Sequence, residues 1–208
     1  MAVLLDLADH LSALTGAAGE TVDAKDISNL SRARVRADGW GDDRMLRRLA
    51  RVAPVDLDEQ AFLARCKVLH ERVQAIPKGV LKRILRAMGV PPEAMRDLGS
   101  LKLLQALTNV VRQKNRDLES VADALPTEVI PDGWNEQNDM LAPLFVLNDL
   151  RIADAHVTPG DALVHLRRLG FDLAGVNDGH GVAFDLVLDK TVESLGSIEG
   201  ELRRFTRR

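Results

Sequence analysis

Apolar residues recur at intervals of three and four along almost the whole of this chain, the period that puts them on one face of an α-helix. Val3, Leu4, Leu7, Leu11 and Leu14 define a first helix that Gly16 ends. Residues 17–41 are less regular and carry Gly19, Gly39 and Gly41. Asp42 and Asp43 are candidate caps for a helix through Met45, Leu46, Leu49 and Val52, stopped before Pro54. Asp56 or Asp58 starts the next, which runs through Phe62, Cys66, Leu69 and Val73 to Ile76, where Pro77 breaks it. Val80, Leu81, Ile84, Leu85 and Met88 mark a shorter helix closed by Gly89-Val90-Pro91-Pro92. Ser100 is expected to cap a long helix through Leu101, Leu104, Leu107, Val111, Leu118, Val121 and Leu125.

The stretch from Pro126 to Asn138, with Pro131, Asp132-Gly133 and Trp134, reads as a loop. A helix from about Asn138 to His156 follows, with Pro143 tolerated in its first turn. Thr158-Pro159-Gly160 stops it, and Asp161 is expected to cap a short helix ending at Gly170. Asp178 is the candidate cap of a last helix from about Gly181 to Phe205. No set of strands, long-period repeat or low-complexity tract interrupts this pattern. The predicted fold class is all-α, a multi-helix bundle. The 208 residues suit one domain, or one with a smaller piece appended. The candidate boundaries are the break near Pro54 and the loop around Pro131; the first gives an accessory helical arm over 1–53 and a bundle over 54–208.

Composition narrows the function classes. Aromatic residues are 3% of the chain and Tyr is absent, which argues against the stacking platforms of single-strand-binding proteins. Cys66, the one cysteine, excludes an internal disulfide and a cysteine-based zinc site; within an apolar helix stripe it reads as a small core residue. No apolar stretch is long enough for a bilayer, and the start Met1-Ala2-Val3-Leu4-Leu5-Asp6 lacks a basic leader, so no membrane association and a cytoplasmic location are expected.

The net charge of -3 conceals an uneven distribution. Residues 65–116 hold 12 Lys+Arg against 3 Asp+Glu, whereas residues 117–208 hold 8 against 17. A basic middle beside an acidic end either binds a polyanion or pairs with itself, within or between chains. Should the polyanion be RNA, Lys78, Lys82, Arg83 and Arg86 are the candidate phosphate contacts.

The candidate chemistry lies in Leu147-Asn148-Asp149-Leu150-Arg151-Ile152-Ala153-Asp154-Ala155-His156. Arginine holds a phosphate as a fixed cation, and histidine moves a proton near neutral pH. Five residues correspond to about 140° around a regular helix. Arg151 and His156 therefore meet at one phosphate only if the helix bends at its end or a second copy supplies one of the pair. Asn148, one turn before Arg151, and Asp154, three residues after it, are candidate supporting groups. The alternative is structural: Arg151 pairs with Asp149 or Asp154, and the His156 cation complements the helix C-terminus.

This stretch resembles the HEPN superfamily, the higher eukaryotes and prokaryotes nucleotide-binding domains, whose signature is an Arg, four to six residues, then a His. Arg151 and His156 match those two positions. The resemblance implies a helical bundle that dimerises, so that two motifs face one composite site. It also implies RNA cleavage without a metal or other cofactor, as in bacterial toxin–antitoxin and phage-defence systems, where a toxin has a partner antitoxin. Active members usually carry a polar residue directly after the arginine; here it is Ile152. The competing class is a non-catalytic helical module that dimerises or holds a partner protein in a larger assembly. His165 and His180, with Asp154, Asp161 or Asp178, follow no zinc or di-metal spacing, so no metal site is expected. His10 and His70 stand isolated on helices.

Overall fold

A computed structural model describes residues 2–38, 53–117, 120–156, 161–176 and 179–207, and the side chains of 154–156, 161, 173 and 175 lie outside that description. The expected helix through Met45 to Val52 and the proposed cap Asp178 fall outside it too. Among the described residues there are helices and no strand: α1 (Ala2–Ala17), α2 (Ala24–Ser28), α3 (Arg32–Asp38), α4 (Glu59–Val73), α5 (Lys78–Ala87), α6 (Ser100–Arg116), α7 (Val121–Ala124), α8 (Ala142–His156), α9 (Asp161–Arg168) and α10 (Gly181–Thr206). The all-α expectation is met.

The differences from expectation are local. Residues 17–41 contain α2 and α3, which are too short for their periodicity to show. Ser100 is the first residue of α6 rather than its cap; Gly99 holds the cap position in an extended conformation. The helix expected to reach Leu125 stops at Arg116. Its apolar stripe skips from Val111 to Leu118, and Asn115 in between is buried because its Nδ2 donates to the Glu201 carbonyl at 3.0 Å and carboxylate at 2.8 Å. Ser120 then caps α7, its Oγ accepting from the Asp123 amide at 3.2 Å.

The chain forms two units, each discontinuous in sequence. The first holds residues 1–34, 74–140 and 195–208. Its core is Leu7, Leu11 and Leu14 of α1, Leu81, Ile84 and Leu85 of α5, the Leu103–Val111 face of α6, and Leu202 and Phe205 of α10. Here α1 packs on α2 and α5, and α5 on α6. His10 joins two elements of this unit: its Nε2 lies 3.2 Å from Glu199 Oε1 and its Nδ1 lies 2.8 Å from Thr206 Oγ1. Asn109 of α6 pins the following loop, its Nδ2 donating to the carbonyls of Gly133, Trp134 and Glu136 at 3.3, 3.3 and 2.9 Å.

The second unit holds residues 35–73 and 141–194. Asp58 starts α4, its Oδ1 accepting from the Ala61 amide at 2.7 Å. Phe62, Cys66, Leu69 and Val73 form the buried stripe of α4, and Leu144, Leu147 and Leu150 that of α8. These two helices pack on each other, and α9 packs on α8. The start of α10 is held by the 54–57 segment: the His180 and Gly181 amides donate to the carbonyls of Leu57 and Val55, and the His180 ring stacks on Phe62 at 5.4 Å.

Candidate functional site

The α4–α8 pairing brings Arg151 and Asn148 to His70. A stripe at 62, 66, 69 and 73 turns the 70 position inward as well, since it lies four residues after Cys66 and three before Val73. His70 is accordingly buried, with 2% of its surface exposed. Asn148 and Arg151 are three residues apart on α8 and so share a face. The Asn148 side chain hydrogen-bonds the His70 imidazole, and the Arg151 charge acts on it. The His70 pKa is lowered to about 4, first by burial and then by the Arg151 guanidinium, with the Asn148 bond opposing both. At neutral pH the ring is uncharged.

Arg151 itself is half-buried, and its Nε is enclosed with no hydrogen-bond partner. Among the described residues it makes no ion pair. Asp149, the nearer of the two acids considered for it, accepts from Arg168 of α9 at 2.6 Å and lies 3.8 Å from His165 Nδ1. The guanidinium thus has an amide and a neutral imidazole beside it, and no described carboxylate cancels its charge. His156 is the last residue of α8; its side chain, and that of Asp154, lie outside the described residues. Ile152, the apolar residue after the arginine, is 39% exposed.

The four cations proposed for RNA contact are all on α5, in the first unit. They are not equivalent. Lys82 Nζ donates to the Arg96 carbonyl at 2.9 Å, and Arg83 pairs with Glu20 at 2.6 Å. Lys78 and Arg86 are exposed and make no ion pair among the described residues. Lys78, Lys82 and Arg86 follow one another at intervals of four and form a single stripe.

A polar cavity of about 390 Å³ in the first unit is lined by Arg112 and Arg116 of α6 and by Asp132, Glu136 and Asp139 of the following loop. Cations and carboxylates there face a shared space, so it has no net preference for an anion. No group of three His, Cys, Asp or Glu side chains among the described residues could hold a metal ion, and no described helix is long and apolar enough to cross a membrane.

His70 is the residue that sequence reasoning missed. It was legible only as a polar position inside the apolar stripe of α4, with nothing to say which helix would face it. Comparison with known proteins adds no assignment. No family model, curated protein or solved structure matches the chain.

Proposed function

We propose that the chain is a HEPN-like RNA-binding domain that acts as a metal-independent endoribonuclease, with Arg151 holding the scissile phosphate and His156 moving the proton. The observation that carries this reading is the state of Arg151: a half-buried guanidinium beside a neutral His70, with Asp149 turned to Arg168 instead. Arginines kept for stability alone are usually matched by a carboxylate, because an unpaired charge at a partly dry site is costly. Among the described residues no carboxylate matches Arg151, and a guanidinium so placed can grip a phosphodiester with two hydrogen bonds from its planar fork.

In the proposed reaction the RNA 2′-hydroxyl oxygen bonds to the adjacent phosphorus as its proton passes to a base. The bond from phosphorus to the 5′-oxygen breaks, and that oxygen takes up a proton. The products are a 2′,3′-cyclic phosphate and a 5′-hydroxyl. Arg151 stabilises the charge growing on the phosphoryl oxygens. His156 serves as base or acid. A homodimer, as the family resemblance implies, would set two Arg151–His156 pairs at one composite site.

The test is cleavage of labelled RNA by the full chain, with and without a chelator. The expected result is cleavage unaffected by the chelator, abolished by Arg151→Ala and by His156→Ala, and absent with DNA of the same sequence. A second reading has one observation in its favour, the exposed Ile152 where an active member carries a polar group. In that reading α8 presents a contact surface to a partner protein. It is preferred if the folded wild type neither binds nor cleaves RNA.

A further inference from the structure

We propose that Thr206, His10 and Glu199 form a hydroxyl–imidazole–carboxylate relay in the first unit, in which Thr206 Oγ1 is a nucleophile that takes an acyl group from a carboxylic ester.

Helix geometry builds the relay. Glu199 and Thr206 are seven residues apart on α10, so they share a face and are separated by about 10 Å along the axis. One imidazole spans that gap, and α1 supplies it. His10 Nε2 lies 3.2 Å from Glu199 Oε1, and His10 Nδ1 lies 2.8 Å from Thr206 Oγ1. A carboxylate only accepts hydrogen bonds, so in the neutral ring Nε2 carries the hydrogen and Nδ1 keeps its lone pair. The Thr206 hydroxyl therefore donates to Nδ1; its contact with the Arg203 carbonyl is longer, at 3.4 Å. A hydroxyl bonded to a base that a third group orients is the arrangement that activates a nucleophile.

Burial is graded along the relay. The Glu199 side chain is 10% exposed and that of His10 17%. The enclosed carboxylate fixes the orientation and tautomer of the ring, and stabilises the imidazolium that forms when the proton moves. Thr206 is half-buried, so its hydroxyl is open to a reagent from solution. Arg203 lies 3.7 Å from the same Glu199 oxygen and, three residues before Thr206, shares its face. Its exposed guanidinium is the cationic donor for charge growing on a carbonyl oxygen at Thr206.

In the proposed step Thr206 Oγ1 bonds to the ester carbonyl carbon as its proton passes to His10 Nδ1. The bond from that carbon to the alkoxy oxygen then breaks, and the leaving alcohol takes the proton from Nδ1. The product is an ester of Thr206, which water opens by the same route, releasing the carboxylic acid. A plain tie between α1 and α10 would make the same contacts without this reactivity.

The probe is p-nitrophenyl acetate, added to the full chain near neutral pH. Nitrophenol release is followed by absorbance, and the acetylated residue is located by peptide mass spectrometry. The expected result is an acetyl group on Thr206, formed faster than in the urea-unfolded chain. Thr206→Val should remove that adduct and Thr206→Ser should keep it. His10→Gln should slow acylation at this position about hundredfold or more. Glu199→Gln keeps an acceptor for Nε2 but removes the charge. It should lower the acylation rate at saturating ester by roughly tenfold or more while leaving half-saturation unchanged. Acetylation confined to lysine or histidine side chains, an equal rate at Thr206 in the unfolded chain, or a rate undiminished in His10→Gln or Glu199→Gln would each overturn the proposal. Because the wild type supplies both the position of the adduct and its rate against the unfolded chain, a poorly folding His10→Gln does not remove the test. The outcome is independent of the ribonuclease reading, whose Arg151 and His156 belong to the second unit.

Discussion

His70 sets a stability signature that is independent of any ligand. Its pKa is about 4 in the folded chain against about 6.5 when exposed, so below pH 6.5 the unfolded chain binds a proton that the folded chain refuses. Stability contributed by the neutral ring is complete above about 6.5 and is lost as the pH falls toward 4, by roughly 3 kcal/mol in all. Thermal unfolding across this window should show the wild type falling steeply and His70→Gln, which has no such proton, falling less. Parallel curves would place the acid-sensitive group elsewhere. At this scale the sequence marks Arg151, Asn148 and His156 through their spacing on one segment, whereas His70 is 81 positions from Arg151 and meets it only through packing. Periodicity shows that position 70 faces inward, but not which helix lies opposite.

Helix ends are where local chemistry and tertiary contact can be separated. Gly89 closes α5 with its own amide on the Arg86 carbonyl and the Val90 amide on the Leu85 carbonyl, and Gly170 closes α9 in the same way through Arg167 and Leu166. Both have positive φ, +88 and +82. They differ in surroundings: a Cβ at Gly170 meets nothing, whereas one at Gly89 collides with the Val129 carbonyl. Gly170→Ala should therefore cost only the left-handed backbone penalty, about 1 kcal/mol. Gly89→Ala should cost clearly more, because the 127–129 segment must move; equal losses in urea unfolding would mean that this segment yields freely. Asn109→Ala removes the donor that serves three loop carbonyls, and should cost about 1–3 kcal/mol and speed proteolysis within residues 131–138. Both glycines read from sequence as helix stops. The Val129 contact and the role of Asn109 do not, because loop residues carry no periodicity that fixes their neighbours.

On the scale of the whole molecule the asymmetry of charge is the property most open to test. The all-α class and most of the long helices follow from hydrophobic spacing, and the loop after Pro126 from its Pro and Gly residues. The division into two units does not, since each collects segments far apart in the chain, and spacing is a local property. Charge is a sum over surface positions and survives that limitation better, yet the structure still sorts the basic middle into used and unused cations. Lys82 and Arg83 are engaged by the Arg96 carbonyl and by Glu20, while Lys78 and Arg86 are exposed. If RNA binds along α5, reversing Lys78 and Arg86 to Glu should weaken binding while leaving the circular dichroism unchanged. Each lost phosphate contact should also flatten the dependence of log affinity on log salt by about 0.7 for a single strand, so roughly 1.4 for the pair. Lys82→Glu and Arg83→Glu would confuse this measurement, because the second breaks the pair with Glu20 and the first displaces a bond to the backbone. Arg151→Ala supplies the complementary behaviour: a contact at the scissile phosphate should affect cleavage far more than the salt slope. If affinity and slope are both untouched in the Lys78/Arg86 variant, the basic stripe serves charge pairing between chains. A dimer that dissociates in salt, seen by light scattering, would then be the expected companion result.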